Sequence, residues 1–316
     1  MSAYLARRIG ITLLQLLVLS IVAFFLIHLA PGDPVRTMLG PRASPHEIDL
    51  VRQQLGLTGA LPLQYGGFIG GILTGHFGND FVYSQSVSSL IAPRAGISAE
   101  LIAGGLIVSM IIGVPLALVA AVRANSAVDH GVRALVTLLF AMPSFWVGLI
   151  LALVFALKLK WLPSSGYSDA SIGSLIRSLV LPCVALGLSI LAVVVRTLRG
   201  SVREVLRTEY VEAARARGYG SARVLLRHVL RNAAMPTATV LAVNAGLLIG
   251  GTVVIEQVFQ IAGLGSLLFD AVERRDYLVV EYLTVLAGSA IVLLSFAVDL
   301  AQVVIDPRVS LVRGHG

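Results

Sequence analysis

Six stretches of this sequence are apolar over about 20 residues, and they constrain its fold more than any other feature. A helix rises 1.5 Å per residue, so about 20 apolar residues cross the roughly 30 Å hydrocarbon layer of a bilayer. Only 13% of the residues are charged and the mean hydropathy is +0.88, so the apolar surface exceeds what a water-soluble core of this size hides. We therefore expect an all-α integral membrane protein with six transmembrane helices, over 9–29, 101–122, 134–157, 179–195, 237–259 and 283–304.

The arginines orient these helices, because basic residues collect in cytoplasmic loops. With a cytoplasmic N-terminus, the inside segments hold 15 Lys and Arg. The two short outside loops hold five, namely Lys158, Lys160, Arg177, Arg274 and Arg275. Both termini are therefore expected in the cytoplasm. The first apolar stretch is too long for a secretory signal, so it is expected to remain as a helix.

The segment 31–97 between the first two spans is long enough to fold. Ser44, Pro45 and Glu47 have the spacing of a capped helix start, and Gly56 can end that helix. Its apolar face would carry Ile48, Val51 and Leu55. A second helix is predicted after Pro62, with an apolar face made by Tyr65, Phe68, Ile69 and Ile72. That face would lie on the membrane surface or cap the helix bundle.

Small residues and prolines occur at several positions within the predicted spans. Gly105, Ser109 and Gly113 recur at intervals of four, as do Gly246 and Gly250, a spacing that lets helices pack closely in lipid. Prolines that can kink a span are Pro115, Pro143 and Pro182.

The stretch 196–236 between the fourth and fifth spans carries nine arginines and is the most informative part of the sequence. Its first half is predicted to be a helix that reaches Arg217 and breaks at Gly218. Ser221 would cap a second helix, which stops at Pro236. Arg223, Arg227 and Arg231 share one face of that second helix. From composition alone, this is a basic helix lying on the anionic inner leaflet.

One spacing favours a different interpretation. Glu212-Ala213-Ala214 is followed after three residues by Gly218 and, nine residues later, by His228, Leu230-Arg231-Asn232-Ala233 and Pro236. This pattern resembles the EAA loop of ATP-binding-cassette (ABC) importer permeases. The resemblance implies a compact helical elbow whose tip fits a groove on a cytoplasmic ATPase. The implied docking residues are Glu212, Ala213, Ala214, Arg215, Arg217, Gly218, Tyr219 and Arg223.

The resemblance covers nearly the whole chain and narrows to permeases for dipeptides, oligopeptides and nickel. It rests on short pieces in a fixed order: 28–34 (HLAPGDP), 54–57 (QLGL), 62–65 (PLQY), 142–145 (MPSF), 161–163 (WLP), 166–167 (GY), 256–259 (EQVF), 263–265 (GLG), 275–277 (RDY) and 306–308 (DPR). Two pieces depart from the family pattern, with Ala262 in place of a usual proline and His76-Phe77 in place of a usual Asp-Leu. Both are predicted to lie outside, so they bear on substrate or binding-protein preference and not on energy coupling.

The family resemblance implies a type I ABC importer permease fold in the bacterial plasma (inner) membrane. Residues 1–30 would form the N-terminal end and first helix, 31–97 a partly helical extracytoplasmic segment, and 98–316 a five-helix permease core. The implied partners are a second homologous permease, two cytoplasmic ATPases and an extracytoplasmic substrate-binding protein. ATP and Mg²⁺ would be bound by the ATPases. The implied cargo is a di- or oligopeptide, with nickel chelates and related solutes left open.

A few polar residues in or near the spans are candidate contacts. Glu100 and Glu256 lie at the outer ends of spans, where water is expected to reach them and where they could contact a peptide amine or the binding protein. Asn244 is a possible substrate contact, although interhelical hydrogen bonding is the simpler interpretation. Asp299 would form a structural pair with a loop arginine; the alternative is a proton relay.

The sequence contains no motif for catalysis or cofactor binding. It has no Gly-Lys-Ser or Gly-Lys-Thr for phosphate binding and no H-E-x-x-H or G-x-S-x-G. Its six histidines lack metal-ligand spacing, and Cys183 is predicted to be a small apolar filler. We expect a transport subunit without a cofactor or metal of its own. The alternatives are an ion-coupled secondary transporter, which would need functional acids deep in the spans, and a membrane scaffold.

Overall fold

The computed structural model describes residues 2–29, 33–40, 43–54, 56–80 and 85–305, and these residues are almost entirely helical. Their only bridge between extended segments joins Asn79 and Ser86. Leu55 and the 306–308 piece lie outside the described residues, as does part of the 28–34 piece. The helices are α1 Ser2–Leu29, α2 Pro34–Leu39, α3 Pro45–Gln54, α4 Leu61–Thr74, α5 Val87–Val122, α6 Ala127–Ala141, α7 Ser144–Leu151, α8 Ile172–Val205, α9 Glu209–Ala216, α10 Ser221–Arg223, α11 Leu230–Phe259, α12 Leu264–Glu273 and α13 Tyr277–Ile305, with π-helical turns at Ala152–Lys158 and Val224–Val229.

Five helical stretches are long and apolar enough to cross a membrane, and a bent pair brings the number to six. Five of the predicted spans are therefore confirmed as single helices, and the third predicted span corresponds to the bent pair and not to one helix as expected. α6 ends before Met142, and the chain bends by 100° before it continues from Ser144 to Lys158. Met142 is extended (φ −84°, ψ 131°), the conformation that a residue before proline prefers. Pro143 therefore breaks its span, whereas α5 and α8 continue through Pro115 and Pro182.

The chain divides into two compact units. The central unit is Ala99–Ile261, and the flanking unit combines Met1–Ser98 with Ala262–Gly316. In the central unit, one apolar cluster joins α5, α6, α8, α9 and α11, with Leu191, Leu198 and Val202 among its buried members. In the flanking unit, another cluster joins α1, α4, α12 and α13 with the first turns of α5.

Glycines let α5 pack closely against α8 in the central unit. A Cβ added at Gly113 would lie 2.8 Å from Cγ1 of Val194, and one at Gly105 would lie 3.1 Å from Leu186. The predicted packing role of these glycines is confirmed. Cys183 is buried in the same interface. Gly250 has none of the described atoms within 4 Å of its added Cβ, so it shows no packing role among these residues.

The helices predicted in segment 31–97 are present. Ser44 and Glu47 form the capping box, with the Ser44 amide donating to Oε2 of Glu47 at 2.8 Å and the Glu47 amide donating to Oγ of Ser44 at 3.3 Å. Ile48 and Val51 are buried together.

The apolar face of α4 packs against the spans of its own unit. Phe68 contacts Phe24 of α1 and Tyr282 of α13, with ring centroids 5.8 and 5.2 Å apart. Tyr65 shares a 2.8 Å hydrogen bond with Ser20. The apolar face of α4 was predicted to lie on the membrane surface or to cap the helix bundle. The structure shows it packed against helices α1 and α13.

Candidate functional site

Two short helices form an elbow at residues 209–223, between α8 and α11. α8 ends at Val205, a three-residue turn follows, and α9 begins at Glu209. Gly218, between α9 and α10, then adopts φ +78°, a conformation that L side chains rarely adopt. Gly218 is thus the break that the sequence predicts.

Three details of this prediction are wrong. The first helix does not reach Arg217 uninterrupted, because the turn at 206–208 separates α8 from α9. The N-cap of α10 is Gly220, so Ser221 is a helical residue with no capping hydrogen bond. The second helix does not stop at Pro236, because α11 continues through this proline to Phe259. The elbow is therefore directly continuous with the fifth span.

The elbow rests on the central unit through apolar side chains. Val211 and Ala214 lie on one side of α9 and are buried in the central cluster. Val224 and Val229, the first and last residues of the π-helical turn after α10, are buried in the same cluster. α9 is therefore fixed to the core directly, and α10 is held through the π-helical turn that follows it. A force on the tip of the elbow would thus pass into α8 and α11.

The opposite side of the elbow is exposed. The exposed predicted docking residues are Glu212, Ala213, Arg215, Arg217, Gly218, Tyr219 and Arg223. Ala214 differs, because its side chain is buried and packs against the core. The family resemblance places Ala214 among the docking residues, and that assignment stays a prediction.

Side-chain contacts connect the two arms of the elbow. The rings of Tyr219 and His228 stack, with centroids 5.9 Å apart and planes 11° from parallel. The guanidinium of Arg223 lies 6.0 Å from the centre of the Tyr219 ring. The amide of Asn232 donates to the Tyr210 hydroxyl at 2.8 Å. His228 and Asn232, which the sequence pattern contains without explaining, thus hold the bend in shape.

The other candidate contacts are separate from the elbow. Glu100 is exposed and accepts a 3.0 Å hydrogen bond from the Tyr167 hydroxyl. Burial raises the pKa of Tyr167, and the bond to Glu100 raises it further. Asn244 donates to the carbonyl of Val240 in its own helix at 2.7 Å. Glu256 is fully buried, so the expectation that water reaches it is wrong.

Charged pairs involve residues that lie far apart in the sequence. Arg8 of α1 pairs with Asp299 of α13, which confirms the predicted structural pair, although its arginine lies in a helix and not in a loop. Sequence reasoning missed Asp129, which is fully buried and bonded by Arg199 at 2.6 and 2.7 Å. It also missed Glu281, because the last span was predicted to begin at 283 whereas α13 begins at Tyr277. An acid only two residues before the predicted span was the available signal.

Comparison with known proteins covers the chain almost from end to end. The family model described as "Binding-protein-dependent transport system inner membrane component" matches residues 113–311, and the N-terminal model of such components matches residues 1–99. A putative peptide permease protein of Brucella suis is 38% identical, over 98% of this chain and all of the relative. The glutathione transport system permease protein of Salmonella choleraesuis is 34% identical and the di/tripeptide transport system permease protein of Pseudomonas aeruginosa is 33% identical, each over 98% of this chain and 99% of the relative.

Proposed function

As a member of the family of inner-membrane components of binding-protein-dependent transport systems, this chain is an ABC importer permease, and we propose that its elbow docks a cytoplasmic ATPase. The chain is a transport subunit and not an enzyme. It spans the membrane several times.

One observation carries the docking proposal: the elbow is anchored on one side and exposed on the other. Val211 and Ala214 fix α9 to the core, while Glu212, Ala213 and Arg215 on the same short helix are exposed. A small exposed alanine lets a groove approach the backbone closely, and the neighbouring charges can pair across the contact. A basic helix bound only to lipid would not need this rigid support.

The remaining partners complete the transport cycle. A second homologous permease forms the pathway with this chain, an extracytoplasmic binding protein delivers cargo, and two ATPases bind ATP and Mg²⁺. ATP binding draws the ATPases together and moves the docked elbows, and α8 and α11 carry this movement into the spans. Such coupling requires that the elbow makes different contacts in the two states of the ATPases.

Peptides are the proposed cargo. The relatives are named as peptide, glutathione and di/tripeptide permeases, and these names share short peptides as the transported class. The bacterial inner membrane, with both termini in the cytoplasm, is the proposed location. We also propose that residues 1–30, 31–97 and 98–316 act as first helix, extracytoplasmic segment and permease core. Glu100, Asn244 and Glu256 remain proposed contacts for cargo or binding protein, and Glu256 would require a rearrangement that exposes it.

Charge reversal at the elbow tests the docking proposal. In the complete transporter reconstituted into proteoliposomes, Glu212→Lys should retain membrane insertion but lose most peptide uptake and the stimulation of ATPase activity by loaded binding protein. The matched control is Glu204→Lys, which reverses an exposed charge in α8 outside the elbow and should keep both activities. Normal stimulated ATPase activity and uptake in Glu212→Lys would refute the docking assignment.

The bend supplies a second test that leaves charge unchanged. Gly218→Ala places a Cβ at φ +78° and costs about 1–2 kcal/mol, so it should distort the turn and reduce uptake per ATP hydrolysed. Gly220 has φ −61°, which alanine adopts freely, so Gly220→Ala should retain the wild-type ratio. Equal ratios in the two variants would show that the shape of the turn is unimportant for coupling.

A further inference from the structure

The flanking unit contains a cavity of about 390 Å³ between α4 and α13. Aromatic rings form much of its wall, namely Phe24, Phe68, Phe77 and Tyr282. These rings contact one another, with the Phe77 and Tyr282 centroids 4.8 Å apart. Gly71 lets Tyr282 approach α4, because a Cβ there would lie 2.8 Å from the Tyr282 hydroxyl. The wall is therefore a packed aromatic surface.

Glu281 lines this cavity from the second turn of α13. Its residue surface is only 5% exposed, and its Oε1 atom is buried without a hydrogen-bond partner. No Arg, Lys or His of the described residues forms an ion pair with it. Glu281 thus differs from Asp129 and Asp299, whose carboxylates are neutralised by arginines.

A buried carboxylate without a partner is strongly unfavourable, and a cationic ligand that donates a hydrogen bond would remove that penalty. Aromatic faces attract cations as well. The cavity wall combines aromatic rings with the polar side chains of Gln64 and His76 and one convergent carboxyl. A concave site of a few hundred Å³ with this mixture has the form of a small-molecule site. The carboxylate and the rings thus favour the same ligand chemistry.

A metal ion fits this chemistry poorly. Hard cations such as Ca²⁺ take six to eight oxygen ligands. The described residues contain no group of three or more His, Cys, Asp or Glu positioned to hold a metal ion. An alkylammonium group needs only one carboxylate, and its carbon substituents fit the apolar wall.

We propose that this cavity binds a small organic ammonium ion, with Glu281 as its counter-charge and the surrounding aromatic rings as its walls. The site lies within the flanking unit and does not involve the elbow. It is therefore tested without ATP hydrolysis, and its failure would leave the docking proposal unaffected.

Binding of tert-butylammonium, which carries N–H donors, to the assembled transporter in lipid nanodiscs provides the test, measured by saturation-transfer-difference NMR at constant ionic strength. Wild type should show saturable binding, whereas Glu281→Gln, which keeps the side-chain shape, should bind at least tenfold more weakly. Glu273→Gln removes an exposed acid from α12 of the same unit and should bind like wild type. Neutral tert-butanol, which has nearly the same shape as the cation, should not bind saturably.

A second variant keeps the test decisive if Glu281→Gln fails to assemble. Phe77→Leu removes one aromatic face but leaves the carboxylate, and it should weaken tert-butylammonium binding severalfold. The proposal would be overturned by absence of saturable binding in wild type, by unchanged affinity in Glu281→Gln, or by equally tight binding of tert-butanol.

Discussion

Asp129 is fully buried yet can remain charged because Arg199 neutralises it. The guanidinium donates from two nitrogens to the two carboxylate oxygens of Asp129. The backbone N–H of Asn125 donates to Oδ2 of the same carboxylate at 2.9 Å. The pair joins the start of α6 to α8, near the end of α8 that leads into the elbow. It therefore fixes the support on which the elbow rests.

Removing this acid should destabilise the chain strongly. Asp129→Ala leaves the partly buried Arg199, whose side chain is 14% exposed, without its partner, a change that costs up to about 3–5 kcal/mol. The midpoint of thermal unfolding in detergent should fall markedly. Arg133 also faces Asp129, but at 3.6 Å and with an exposed side chain, so Arg133→Ala should cost less than about 1 kcal/mol. A similar loss of stability in the two variants would show that the ion pair of Asp129 with Arg199 contributes no more to stability than its pair with Arg133.

Such pairs also mark the limit of sequence reasoning at this scale. Asp129 and Arg199 are 70 residues apart, and the local sequence around either residue gives no indication that the other is its partner. Asp299 could be assigned an arginine because a carboxylate near the end of a span needs a counter-charge. Arg8 could not be identified as that arginine, since the choice depends on which helices pack together. Glu256 was misjudged because hydropathy locates a span without showing which of its faces is buried. Glu281 was missed because the last span was predicted to begin after it.

Two carboxyls in the flanking unit should make its stability depend on pH. Asp80 and Asp276 are almost fully buried and share a hydrogen bond. Burial, and then the neighbouring Asp80, raise the pKa of Asp276 above its ordinary value of 3.8. A raised pKa means that the folded chain binds its proton more tightly than the unfolded chain, so stability should fall as pH rises above 3.8 toward the folded-state pKa.

Thermal unfolding between pH 5 and pH 8 measures this effect. The unfolding temperature of wild type should decrease across the range, and Asp276→Asn should remove that part of the slope. Asp80→Asn should reduce it, because the neighbouring charge disappears while burial remains. Glu273→Gln alters an exposed acid and should keep the wild-type slope. An unchanged slope in both aspartate variants would contradict the assignment.

The contact of α8 with α5 depends on a glycine that has no room for a side chain. A Cβ at Gly187 would lie 2.7 Å from the carbonyl oxygen of Gly105, and this backbone atom cannot move aside as a flexible side chain would. Gly187→Ala should therefore separate the helices and cost about 1–3 kcal/mol. Gly200 lies in the same helix with no atom within 4 Å of its added Cβ. Gly200→Ala should be neutral or stabilising by up to about 1 kcal/mol, since alanine favours helices.

Denaturant unfolding of the purified chain compares these two variants directly. A Gly187→Ala variant as stable as Gly200→Ala would mean that the two helices adjust freely at this contact.

Most of the long helices could be predicted from the sequence, but the points at which a helix continues or breaks could not. Long apolar runs identified six spans because their length matches the bilayer. Proline, however, has two different effects in this chain. Pro143 interrupts the helix of the third span, whereas α11 continues through Pro236. Local sequence does not separate these outcomes, because whether a helix continues past a proline depends on the packing of neighbouring helices around the freed carbonyl. The break in the elbow was predictable because Gly218 and the Glu-Ala-Ala pattern at its fixed spacing are visible in the local sequence.

For the whole molecule, the sequence predicted family and class correctly because both rest on features spread along the chain. The ordered motifs extend from the first span to residue 308, and the family models cover the same extent. The predicted orientation rests on a different observation, the excess of arginines in alternate loops. It fixes which face of the membrane the elbow occupies, so the docking proposal depends on it.

Labelling of single cysteines from each side of the membrane tests this orientation. Cys183, the one native cysteine, is buried, so a membrane-impermeant maleimide should give little background. Asp49→Cys and Ser164→Cys lie at exposed positions in segments predicted to be outside, and they should react in intact spheroplasts. Arg217→Cys, at the exposed tip of the elbow, should react only in inverted vesicles. Because the ATPases bind ATP in the cytoplasm, reaction of Arg217→Cys from the same side as Asp49→Cys would remove the elbow from their reach and exclude it as the docking site.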